Sequence, residues 1–194
     1  MNEISMKRIS LSRLCALFAN ILEYPTPAIY EQARECTALL AALSERARNY
    51  VNRFLTFTEL ASFSRLEEIY TRTFDLQAAC VPYTGCHLFG EDSIRGMFMV
   101  KLRELYRCHN FAQDSELPDH VSVMLRFLSR SDWMEESQEL IEYCLIPSIK
   151  KMRECFKEND NPYSAILEAL LITLEKRGKE DTRNLESFRE EEPS

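Results

Sequence analysis

Glycine is nearly missing from this chain: there are 4 among 194 residues, where average usage of about 7% would give about 14. Tight turns that need positive φ are correspondingly few. Valine is scarce as well, at 5 against 24 leucines. Because β-branched side chains favour strands and leucine favours helices, a sheet-based fold is disfavoured. No run reaches the about 18 uninterrupted apolar residues of a membrane span, so direct membrane insertion is not expected. Basic charge is in deficit: 24 Lys and Arg against 31 Asp and Glu leave a net charge of -7. That balance argues against a nucleic-acid binder, whose affinity comes mainly from phosphate neutralisation. The seven cysteines, at 15, 36, 80, 86, 108, 144 and 155, form no CxxC pair and no even-numbered framework, the pattern of reduced thiols in a cytoplasmic protein.

What is present is helical periodicity. Apolar residues make up 45% of the chain and charged ones 28%, a composition that folds. Lys7 and Arg8 followed by an apolar run have the outline of a short signal peptide, but Leu11, Leu14, Cys15, Phe18, Ile21 and Leu22 keep i, i+3, i+4, i+7 spacing and mark a first core helix. It should end before Pro25 and Pro27. Further helices are predicted over about 28–43, about 45–56, and from a cap at Thr58 to about Phe74 with Leu60 inward. Beyond a break, one runs from an Asp92 or Ser93 cap to about His109 on Ile94, Met97, Phe98, Leu102 and Leu105. The next opens at Pro118, and another, about 134–156, should kink at Pro147. The last is capped by Asn161 and opened by Pro162. The expectation is an all-α single bundle of about seven to nine helices over residues 1–175. Residues 176–194 are almost entirely polar or charged, and are expected to form a disordered tail.

The break at 75–92 gathers glycines 85 and 90, with Gly96 close behind, so the chain spends most of its glycine on one connection. The glycines match neither GxGxxG nor GxxxxGK[ST], and no strand precedes them. Cys80, Cys86, His87, His109 and His120 have no standard zinc spacing. A helical metal-dependent or small-molecule enzyme built on Cys86, His87 and His120 is the alternative these residues leave open. The ELPDH stretch at 116–120 reads in two ways. As a helix start, Pro118 fixes the first turn and Asp119 favours the positive end of the dipole. That reading leaves Glu116 and His120 unexplained. Tyr83, Leu88 and Phe89 are apolar residues in an aperiodic segment, which suits an exposed contact surface.

Taken in order, YTRTFD at 70–75, HLFGEDSIRG at 87–96, a helix ending in Tyr106, and ELPDHVSVMLRFL at 116–128 resemble the NarJ-type nitrate reductase molybdenum cofactor assembly chaperones within the TorD/DmsD-like redox enzyme maturation family. The only tryptophan, Trp133, lies outside these motifs, which favours the NarJ side of the group. The resemblance implies an all-helical cytoplasmic chaperone, monomeric or dimeric, without catalytic turnover or a permanently bound cofactor. Its partner would be the catalytic subunit of a molybdenum oxidoreductase, bound through an N-terminal twin-arginine-type or remnant segment while the molybdenum cofactor is inserted. By match, peptide recognition falls on Glu116, Pro118, Asp119 and His120. Asp75 would serve as a further charge partner, and Tyr83 and Phe89 as apolar contacts. Phe74, His87, Gly90, Arg95 and Gly96 carry over as structural positions. His120 among acids would make affinity depend on pH near neutrality.

Overall fold

The computed structural model describes residues 3–76, 78–90, 92–112, 116–130, 135–156 and 161–190. The chain is all-α. Its helices are α1 (Glu3–Ile21), α2 (Ile29–Ala41), α3 (Glu45–Leu60), α4 (Phe63–Tyr70), α5 (Thr84–Phe89), α6 (Ser93–Cys108), α7 (Val121–Arg130), α8 (Glu135–Glu139), α9 (Ile146–Glu154) and α10 (Pro162–Glu190). A π-helical turn, Thr71–Asp75, extends α4, and a second, Leu140–Leu145, joins α8 to α9. Counting α8 and α9 as one rod leaves nine helices among the described residues, at the top of the expected range. None of them is long and apolar enough to cross a membrane. The only extended pairing among the described residues is an isolated antiparallel bridge between Tyr83 and His120.

α7 is the most completely buried of the short helices. Val121, Val123, Met124, Leu125, Phe127 and Leu128 form a broad buried apolar face, with Arg126, Ser129 and Arg130 on the less buried side. α1 packs on α7 and α2, and α3 packs on α2 and α10. The expected inward residues of α1 and α10, among them Leu14, Phe18, Ile21, Tyr163, Ile166 and Leu170, are fully buried.

Several boundaries differ from the sequence reading. Thr58 does not cap a helix: α3 runs on to Leu60, and the buried Thr58 hydroxyl donates to the Leu55 carbonyl. The break falls at Ala61, and Ser62 caps α4 by accepting from Arg65 N–H at 3.2 Å. Leu60, at the end of α3, is 84% exposed. Ile94 and Met97 on α6 are also exposed; that helix buries Leu102 and Tyr106 fully and packs Phe98 and Leu105 against the core. The 75–92 connection is not wholly irregular, since it holds α5. Pro118 sits in a turn closed by His120 N–H to Leu117 C=O at 3.0 Å, one turn ahead of α7. The strain expected at Pro147, which lacks an amide donor, is taken up just upstream by the Leu140–Leu145 π segment. The backbone of α10 continues through the charged stretch to Glu190 and does not stop at 175. Trp133 lies outside the described residues.

Asn161 joins two of these features. Its side-chain oxygen accepts from Tyr163 N–H at 3.0 Å, which caps α10, while its amide donates to the Thr73 hydroxyl at 2.6 Å inside the first π turn. Asn161→Ala should therefore cost about 1–2 kcal/mol, the range of a lost cap. Asn161→Asp, which keeps the acceptor and loses the donor, should fall between that and wild type in urea denaturation.

Candidate functional site

Three separated motif segments meet around one buried charge pair. Asp119 is fully buried. Its carboxylate accepts from Arg95 Nε at 2.9 Å, and the guanidinium Nη2 lies 3.5 Å from the other oxygen. The Arg95 guanidinium also lies 5.3 Å from the centre of the Tyr83 ring, a cation–π arrangement. Gly85 explains itself here: a Cβ at that position would stand 2.7 Å from Asp119 Oδ2 and 2.9 Å from Arg95 Cγ. Backbone bonds fasten the same segments. Thr84 N–H donates to Asp119 C=O at 2.8 Å, and Val121 N–H donates to Pro82 C=O at 2.9 Å. From α6, the Tyr106 hydroxyl donates to Pro118 C=O at 2.8 Å.

His120 caps α7. Its Nδ1 accepts from Ser122 N–H at 3.2 Å, which requires the ring proton on Nε2. That Nε2 faces Glu116 at 3.6 Å, and the Tyr83 ring meets the imidazole edge-on at 5.4 Å. Burial pushes the His120 pKa down to about 4, against a smaller upward pull from Asp119. The imidazole is thus neutral near pH 7, and the expected titration near neutrality is corrected: a buried cap accepting an amide proton disfavours the charged ring.

Glu116 and Leu117, four and three residues before His120, point outward. The Tyr83 hydroxyl donates to Glu116 at 3.5 Å. Asp75, the exposed last residue of the first π turn, belongs to the same surface. The Tyr70 hydroxyl is held well above its ordinary pKa first by burial, then by the negative charges of Glu116 and Asp75. Tyr24 is raised by partial desolvation and then by Glu67 and Asp75, and its hydroxyl donates to Glu67 at 3.2 Å. Its ring packs edge-on against Tyr70 at 5.5 Å. The result is an acidic surface of Glu67, Asp75 and Glu116 around tyrosines 24, 70 and 83, with Leu76 70% exposed and Leu117 at its edge. Such a surface can receive cationic side chains and cover adjacent apolar ones.

The sequence-assigned residues thus separate. Glu116, Asp75 and Tyr83 gather at the acidic surface. Pro118, Asp119 and His120 lie beneath it, buried, with Asp119 committed to Arg95. Phe89 is exposed but stacks on Phe98 of α6, at 5.4 Å between ring centres. Phe74 is buried among Tyr70 and Tyr163. Gly90 ends α5 at φ +69, a conformation that glycine alone adopts readily, whereas at Gly96 a Cβ would meet nothing within 4 Å. His87 is engaged locally, its Nε2 2.8 Å from Val81 C=O and its own carbonyl accepting from Lys151 at 2.7 Å. Among the described residues no group of three His, Cys, Asp or Glu side chains is placed to hold a metal ion, so Cys86, His87 and His120 do not form a cage. Residues the sequence reading missed are Tyr24, Glu67 and Leu76, which carry no motif, and Gly85, whose place in a glycine-poor chain was the available signal.

A cleft of about 590 Å³ lies elsewhere, lined by Tyr50 and Arg53 of α3, Lys150 and Arg153 of α9 and Glu168 of α10. Arg153 pairs with Glu168, and Lys150 pairs with Glu175 at 2.8 Å.

The chain as a whole is similar to known proteins. The profile of the nitrate reductase delta subunit family matches residues 31–169. A probable nitrate reductase molybdenum cofactor assembly chaperone NarJ from Bacillus subtilis (strain 168) is 26% identical over 174 residues, covering 89% of this chain and 91% of its own. The crystal structure of a putative redox enzyme maturation protein from Archaeoglobus fulgidus superposes with a TM-score of 0.59 at 23% identity, covering 84% of this chain and 93% of its own, a likeness of fold.

Arg95→Met leaves a fully buried carboxylate uncompensated and should cost about 3–5 kcal/mol, part of which returns in Arg95→Met with Asp119→Asn; Gly85→Ala, which forces a Cβ against the pair, should cost about 1–3 kcal/mol. Both are read from chemical denaturation. For His120, the folded pKa of about 4 lies below the unfolded value near 6.5, so the unfolded chain takes up the proton first as pH falls. Its stabilising contribution is complete above about pH 6.5 and disappears as pH drops towards about 4, by roughly 3 kcal/mol at 1.36 kcal/mol per unit. His120→Gln should flatten stability across that window, and between pH 7 and 8 the imidazole should contribute no pH dependence.

Proposed function

Since the chain belongs to the nitrate reductase delta subunit family, we propose that it is a non-enzymatic assembly chaperone for the catalytic subunit of a nitrate reductase-type molybdoenzyme, and that it takes that subunit's N-terminal, arginine-bearing segment on the surface of Glu67, Asp75 and Glu116. The family match over most of the chain supports the coarser statement. The observation that supports the finer one is the placing of outward carboxylates around three tyrosines, above a base locked by Arg95 and Asp119.

An arginine side chain offers a planar fork of donors that suits a carboxylate, and its flanking apolar residues can cover Leu76, Leu117 and the Tyr24 ring. Asp119 takes no direct part. Its charge is already matched by Arg95, and its role is to hold the Glu116 turn in place. The chaperone shields the segment in the cytoplasm while the molybdenum cofactor is inserted into the client, so the cofactor is cargo of the client rather than a resident group.

The test is calorimetric titration of the full chain with a synthetic peptide spanning the N-terminal segment of the host's nitrate reductase catalytic subunit. Saturable binding is expected. Glu116→Gln with Asp75→Asn should weaken it about tenfold, the equivalent of about 1.4 kcal/mol, with unchanged circular dichroism, since both side chains are exposed. Replacing the peptide's arginines by glutamine should cost a similar factor. Undiminished affinity in the double variant would remove this surface as the recognition site.

A further inference from the structure

Nothing in the chaperone reading uses the seven cysteines, all of which are thiols in this structure. Cys15 and Cys36 are enclosed in the α1–α2 core, where burial pushes the Cys15 thiol up to about 12 and makes it inert. Cys80 and Cys155 differ from these because they meet. Cys155 N–H donates to the Met152 carbonyl at 3.1 Å, and the Cys80 thiol donates to that same carbonyl at 3.6 Å. The Cys155 thiol lies over the preceding carbonyl, Lys151, at 3.9 Å. Two cysteines remote in sequence therefore converge on one turn at the end of α9. Burial raises the Cys80 thiol, and direct Coulombic and hydrogen-bonding interaction with Cys155 raises it further.

The pair is also asymmetric. Cys80 is 1% exposed, whereas Cys155 is only partly buried. A solute reaches Cys155 first, and Cys80 waits behind it.

We propose that Cys155 and Cys80 form a redox modification site, in which Cys155 accepts a thiol adduct from a low-molecular-weight disulfide of the glutathione class and Cys80 resolves it to an intramolecular disulfide. In the first step the Cys155 thiolate attacks one sulfur of R–S–S–R. A bond forms between the Cys155 sulfur and that sulfur, the S–S bond of the small disulfide breaks, and RS⁻ leaves to take up the proton Cys155 gave up. In the second, the Cys80 thiolate attacks the Cys155 sulfur and expels a second RS⁻, which takes up the proton from Cys80. Two cysteine thiols are oxidised by two electrons, and one small disulfide is reduced to two thiols. The high pKa of the Cys80 thiol makes the second step the slow one.

The bond would tie the connection leading to Tyr83 to the end of α9. Cys80 N–H already donates to Thr73 C=O at 2.9 Å in the first π turn, and Pro82 C=O receives Val121 N–H. The disulfide would thus anchor the base of the acidic surface, although the site itself stands apart from any reading of what that surface binds.

The test uses the reduced full chain, treated with excess oxidised glutathione at pH 8, quenched by alkylation, digested without reductant and mapped by mass spectrometry. The expected product is a linked peptide pair containing residues 80 and 155, lighter by two hydrogens and reversed by dithiothreitol. Cys80→Ala should stop at a stable glutathione adduct on Cys155, and Cys155→Ser should leave Cys80 in the alkylated pool. Wild-type Cys80 and Cys155 recovered as separate alkylated residues, while exposed Cys108 carries the adduct, would overturn the proposal. Client binding does not enter this readout, so failure here and failure of the peptide-binding reading are distinguishable.

Discussion

The ion pair between Arg95 and Asp119 is the constraint on which the motif region depends. A carboxylate with no solvent exposure is costly unless its charge is matched and its lone pairs are used. The structure meets both conditions by bringing Arg95 from the start of α6 and by leaving Gly85 without a side chain where one would collide with the pair. The backbone of Asp119 is also spent, accepting from Thr84, while the Tyr83 ring covers the guanidinium. Remove the pair and three segments that share no helix lose their common anchor.

That anchoring decides what the surface above can do. Glu116 lies only three residues from Asp119, yet it faces solvent because the turn between them is held from below by the Tyr106 hydroxyl on Pro118 C=O and by the His120 cap. A loop fixed in this way presents its carboxylate at little further entropic cost when a ligand arrives. Asp75 is fixed by a different device. The π turn that carries it is pinned by Asn161 through Thr73, and π turns recur where a helix must offset a side chain for function.

Much of this was legible in the sequence. Leucine-rich periodicity located the core faces of α1, α7 and α10, and Asn161–Pro162 and Asp92 identified two helix starts, because these signals are local. The errors have local causes too. Thr58 and Ser62 are both acceptable caps, and the choice between them was made by the packing of Thr58 against its own helix, which no spacing reveals. Ile94 and Met97 keep helical period with Phe98 and Leu102, but the N-terminal half of α6 meets the rest of the molecule through Arg95 and Phe98, which leaves Ile94 and Met97 in solvent. At the site, the motif residues were found as a set while their division between inside and outside was not. Whether Asp119 meets a ligand or Arg95 depends on a contact between residues 24 positions apart, and the glycine that permits it looked like one more feature of an irregular loop.

The division between buried and exposed motif residues has a consequence for recognition. With the Asp119 charge matched by Arg95 and His120 held as an uncharged cap, the buried half of the E-x-P-D-H stretch offers no net charge to a ligand. On the proposed reading, the charge that an approaching peptide would meet is that of Glu67, Asp75 and Glu116, all in contact with water. Attraction between exposed charges is screened over about 8 Å at physiological ionic strength, so in that reading such acids would select an arginine-bearing segment and speed its arrival more than hold it. Retention in that reading would come from apolar contact with the tyrosine rings, Leu76 and Leu117. A segment with arginines beside an apolar run satisfies both demands, whereas a merely basic one satisfies only the first.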